Sequence, residues 1–93
     1  MTWHTALIAE GEVAKFRHDL KRIYRKEIAE GRIAGYTLFV RKESPGDYTL
    51  YVPPGAVALF DRMPNWKKRL RPLSSTPDLR GFDVIPVGLR HGQ

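Results

Sequence analysis

The chain has 93 residues, a net charge of +6 and a sequence pI near 10.0. That length suits one domain, 1–93, and excludes two. With 42% hydrophobic and 28% charged residues the chain is globular in composition, and the absence of cysteine excludes disulfides, thiolate metal sites and cysteine nucleophiles. The longest apolar stretch near the N-terminus, residues 6–9, is too short for a signal peptide or a membrane span. A small domain without disulfide staples suits a reducing compartment, so the expected location is cytoplasmic.

Residues 3–8 read either as a short leading strand or as an early helical turn, with the strand preferred. The first strong element is a helix over residues 10–30. Val13, Phe16, Leu20, Ile23, Tyr24 and Ile28 recur at three- and four-residue spacing and form one apolar stripe. Glu10 and Glu12 sit where the helix dipole favours negative charge, and Gly31 is placed to end the helix.

After Gly31 the period changes from 3.6 to 2. Residues 36–42 and 48–52 are rich in aromatic and β-branched types and read as two strands. Between them, Ser44-Pro45-Gly46-Asp47 suits a type II turn, with Gly46 at the position that needs positive φ. One face of this hairpin suits the helix. The other is partly aromatic, and is either covered by a later segment or open to a ligand.

Pro53-Pro54-Gly55 breaks the second strand. Residues 56–63 form either a two-turn helix or a third strand, and Pro64 ends them in both cases. Residues 82–87 form a last strand, which Pro86 places at a sheet edge. The tail after Gly88 is expected to be flexible. The predicted architecture is α+β: one long N-terminal amphipathic helix on a small, mainly antiparallel sheet of three or four strands. One or two short helical turns precede the last strand.

Two clusters carry the candidate chemistry. From Arg62 to Arg71 the chain holds Arg62, Lys67, Lys68, Arg69 and Arg71 with no acidic residue, and Trp66 lies inside the run. Lysine and arginine supply the contacts that release counterions from phosphates, and an exposed tryptophan can stack on an unpaired base. The structural alternative has Trp66 and Leu70 anchoring one turn to the core. The second cluster is the face of the helix opposite its apolar stripe, where Lys15, His18, Arg22, Arg25 and Lys26 fall together. Between Lys15 and Lys26 six residues are basic and one, Asp19, is acidic.

These clusters predict a non-enzymatic binding module for a polyanion, RNA or DNA before an acidic protein surface. The residues expected to bind are Arg22, Arg25, Lys26, Arg62, Trp66, Lys67, Lys68, Arg69 and Arg71. The alternative is a protein–protein module, such as an inhibitor, immunity protein or adaptor. No membrane partner, metal or cofactor is expected. His4, His18 and His91 are widely spaced and none has a ligand partner at metal-binding distance in sequence. A small ribonuclease would need a base, an acid and a cation at the scissile phosphate, and no such set is visible. The glycines match neither a phosphate loop nor a dinucleotide-binding motif.

Overall fold

The computed structural model describes residues 2–33 and 36–87, without the side chains of residues 36, 37 and 84–87. The expected flexible tail and His91 lie outside the described residues. The chain opens with strand β1 (His4–Ala9), settling residues 3–8 as the strand alternative. Helices α1 (Glu10–Ile23) and α2 (Arg25–Ala29) follow, then strands β2 (Tyr36–Ser44) and β3 (Asp47–Val52). A 3-10 helix (Pro54–Arg62) leads into α3 (Pro64–Lys67), a two-residue strand β4 (Arg71–Pro72) and strand β5 (Asp83–Val87).

The strands form one sheet in the order β4-β1-β3-β2-β5, and every neighbouring pair is antiparallel. The α+β expectation holds, with the two-residue β4 enlarging the expected three or four strands to five. Strand alternation sends Ala6 and Ile8 of β1, Leu38 and Val40 of β2, and Leu50 and Val52 of β3 into the core. The helices cover that face. Phe16 and Leu20 of α1 and Tyr24 meet Leu59 and Phe60 of the 3-10 helix, and the rings of Phe16 and Phe60 stack at 5.8 Å. The stripe read from the sequence is therefore the buried one.

The expected single helix over 10–30 is instead two. Tyr24 leaves the helical region at φ −102°, ψ 21°, while its hydroxyl donates to the Leu59 carbonyl across the core. The helix ends as the sequence predicts. Gly31 has φ 72°, and the amides of Gly31 and Arg32 donate to the carbonyls of Ile28 and Glu27. That bond pair is a Schellman motif, which needs a residue without Cβ strain at Gly31.

Gly46 has φ 86°, as the Pro-Gly turn requires. Its carbonyl accepts from the Glu10 amide at 2.8 Å, tying the hairpin tip to the first residue of α1. The register slips between Lys42 and Ser44, leaving Glu43 as a bulge.

β4 and β5 lie at opposite edges of the sheet, so residues 73–82 must cross it. They cross the face turned away from the helices. Phe82 packs on Tyr51 (4.8 Å) and Phe39 (6.4 Å), and Trp3 meets Phe39 at 6.0 Å. This strap resolves the open alternative about the second sheet face: a later segment lies on it.

Candidate nucleic-acid interface

The two basic clusters meet along a seam. Three contacts join α1 and α2 to residues 62–69. Arg69 forks onto Glu12 (2.9 and 2.8 Å), Trp66 Nε1 donates to Asp19 Oδ2 (3.1 Å), and Arg62 Nη1 donates to Glu27. The order of these contacts means that the two segments run antiparallel. Glu12 and Asp19 lie two helical turns apart on one face of α1 and Glu27 follows on α2, while Arg62, Trp66 and Arg69 come from the end of the 3-10 helix, from α3 and from the turn after it.

Each seam residue is held on more than one side. Glu12 also accepts from the Ala9 amide at 2.9 Å, closing the start of α1. Arg62 donates to the Ile23 carbonyl at 2.9 Å and lies 4.6 Å over the Tyr24 ring. Arg69 lies 4.8 Å over the Trp66 ring. Trp66 is only 6% exposed and meets Phe16 edge-on at 5.2 Å.

The carboxylates respond to these partners. The Arg69 fork and then the Ala9 amide draw Glu12 down to about 2. The Trp66 N–H, ahead of Lys15, lowers Asp19, and the backbone amide followed by Arg62 lowers Glu27.

The nine residues expected to bind therefore divide. Trp66 is corrected to a core residue: its indole is buried and its N–H is already used, so neither is offered to a base. Arg62 and Arg69 pair with Glu27 and Glu12 at the seam, with their side chains 50% and 36% exposed. Lys67 pairs with Asp61 at 2.7 Å, and Arg22 reaches Asp19 at 3.8 Å. Arg71 folds its guanidinium back onto the Lys68 and Leu70 carbonyls (3.1 and 2.9 Å). Arg25, Lys26 and Lys68 are exposed and make no side-chain hydrogen bond or ion pair with the described residues.

Arg17 and Lys21 belong with these three and were missed. Both are exposed on α1 and lack such partners among the described residues. On a helical wheel they flank the apolar stripe and do not oppose it, so a search of the opposite face alone passes over them.

The charge is segregated. Residues 10–32 and 61–71 hold twelve of the Lys and Arg and six of the Asp and Glu, while the rest of the chain holds four of each. The whole net charge of +6 therefore belongs to the helical segments.

The other sheet face has a different character. Arg41 bonds Glu43 (2.8 and 3.2 Å) and the Tyr51 hydroxyl (3.3 Å), and its guanidinium lies 4.9 Å from the Phe82 ring. A cavity of about 240 Å³ lies here between Arg41, Tyr51 and the strap residues Ser74, Ser75 and Asp78. Asp78 is occupied by Arg80, which holds its carboxyl below the usual range.

His4 is half-buried in β1 and His18 is exposed on α1. No three His, Cys, Asp or Glu among the described residues converge as a metal site requires. No helix among them is long and apolar enough to cross a membrane. No family model, curated protein or solved structure matches this chain.

Proposed function

We propose that this protein is a small non-enzymatic binding module that engages nucleic acid through the phosphates, using the exposed cations of its helical layer. The observation that carries the reading is the segregation of charge. A surface that merely keeps a domain in solution interleaves the two signs. Here three of the six acids of the helical layer, Glu12, Asp19 and Glu27, are turned to the seam. What remains facing water is an excess of Arg17, Lys21, Arg25, Lys26 and Lys68. Long, unpaired cations at fixed positions on a helix suit phosphate contacts, whose affinity comes from the counterions they release. A cysteine-free chain with this charge suits the cytoplasm, where such polyanions are abundant.

The test is a titration of labelled mixed-sequence nucleic acid in low salt, followed by anisotropy. The wild type is expected to bind, and a variant with Arg25, Lys26 and Lys68 changed to glutamate is expected to lose at least about tenfold in affinity. No binding of any nucleic acid at about 100 µM protein would overturn the reading. The acidic protein surface would then be the partner that fits the same charges.

A further inference from the structure

Resting on the nucleic-acid reading, we infer that the ligand is a duplex, held by its phosphates and not by base stacking. A single strand is captured where cations and exposed aromatic rings share one surface, because the cations track the backbone and the rings stack the bases. In this fold the two are on opposite faces.

The rings of the helical layer are spent inside it. Phe16, Tyr24, Phe60 and Trp66 are all buried. Tyr24 and Trp66 each have a guanidinium over the ring, from Arg62 and Arg69. The basic surface thus presents no ring to a base among the described residues. The remaining aromatic cluster, Trp3, Phe39, Tyr51 and Phe82, lies across the sheet under the strap. The chain outside the helical segments has no net charge, and Asp78 stands beside Arg41 at the cavity under the strap. The cations on that face, Arg41 and Arg80, are paired with Glu43 and Asp78, so a strand bound there would have rings without a free cationic track.

The basic side suits a duplex instead. From Lys15 to Arg22 the cations of α1 extend over about 10 Å of rise, and Arg25 and Lys26 follow on α2. Residues 67–71 run alongside, joined to α1 through Trp66 and Arg69. The exposed, unpaired cations Arg17, Lys21, Arg25 and Lys26 of the helices and Lys68 of the neighbouring segment share one layer that offers no exposed ring among the described residues, which suits the regularly spaced phosphates of a duplex. Without stacking, affinity comes from counterion release alone, and that is larger per phosphate on a duplex than on a single strand.

The experiment compares one 16-base sequence as single-stranded DNA, duplex DNA, single-stranded RNA and duplex RNA against the wild type at fixed low salt. The duplex of each sugar is expected to bind at least about tenfold more tightly than its single strand. The DNA and RNA arms identify which duplex is preferred. Single strands that bind as tightly as duplexes would overturn the inference and leave the nucleic-acid reading standing. Failure of all four to bind would overturn both. Trp3→Leu provides a second readout: duplex affinity is expected to stay within about twofold, and a folded variant that loses more than about fivefold would place the bases on the aromatic face and overturn the inference.

Discussion

Residues of one charge type have opposite duties along residues 62–71. Arg62 and Arg69 bind carboxylates and cover aromatic rings, while Lys68 faces water. Trp66 at the centre of the seam makes the difference measurable. Trp66→Ala removes a buried ring and should cost about 3–5 kcal/mol. Trp66→Phe keeps a ring against Phe16 but deletes the Nε1 bond to Asp19, and should cost about 1 kcal/mol more than the packing change alone. Thermal melts of both variants check this, and an unchanged melting temperature for Trp66→Ala would return the indole to the surface. Glu12 supplies a pH prediction. Its pKa falls from 4.5 to about 2 on folding, so the stability it contributes is present above about pH 4.5 and is lost as pH falls towards 2. Glu12→Gln should therefore flatten the decline in melting temperature between about pH 5 and pH 2. The pairing was partly legible. The seven-residue spacing of Glu12 and Asp19 puts both on one face of α1 by itself. That residues 62–69 meet this face and Glu27 is a tertiary fact, since the partners are 35 to 57 positions apart.

At the scale of elements, local chemistry was the better guide. The α1 stripe predicts burial of Leu20, which is 2% exposed, and Leu20→Ala should cost about 2–5 kcal/mol in denaturant unfolding. The Pro-Gly turn predicts positive φ at Gly46, and a Cβ there would meet no atom within 4 Å. The penalty of Gly46→Val is thus backbone strain alone, about 1 kcal/mol or somewhat more, with no added clash. A melting temperature unchanged in Gly46→Val would contradict the turn. Three features were not legible. The helix break at Tyr24 coincides with a hydroxyl bond to Leu59, a tertiary contact that no local propensity encodes. Residues 56–63 were open between helix and strand because a short apolar run fits both periods; Pro53 and Pro54 open a 3-10 helix whose Ala56, Leu59 and Phe60 turn to the core. The β4 pairing of Thr5 with Arg71 was also invisible, because two residues carry no period.

For the whole molecule, the net charge was readable at once but its placement was not. Both basic clusters were visible as runs, and the fold brings them together on one layer by laying residues 62–71 along α1. The acids that seemed scattered along the helix become the inner lining of that joint. The strap over the aromatic face, residues 73–82, follows from topology, because β4 and β5 occupy opposite edges. Charge reversal at Arg25, Lys26 and Lys68 should leave stability within about 0.5 kcal/mol, since none of the three side chains makes a hydrogen bond or ion pair with the described residues. It should also reduce the slope of log affinity against log salt by about one unit for each lost phosphate contact. A slope equal to that of the wild type would assign the binding to other residues. The most direct measurement is a two-dimensional amide spectrum of the labelled protein titrated with a short duplex. The account predicts progressive shifts at Arg17, Lys21, Arg25, Lys26 and Lys68 and their neighbours, with Phe39, Tyr51 and Phe82 unmoved. Shifts that concentrate on those three aromatic residues and the strap, leaving α1 and α2 untouched, would contradict it.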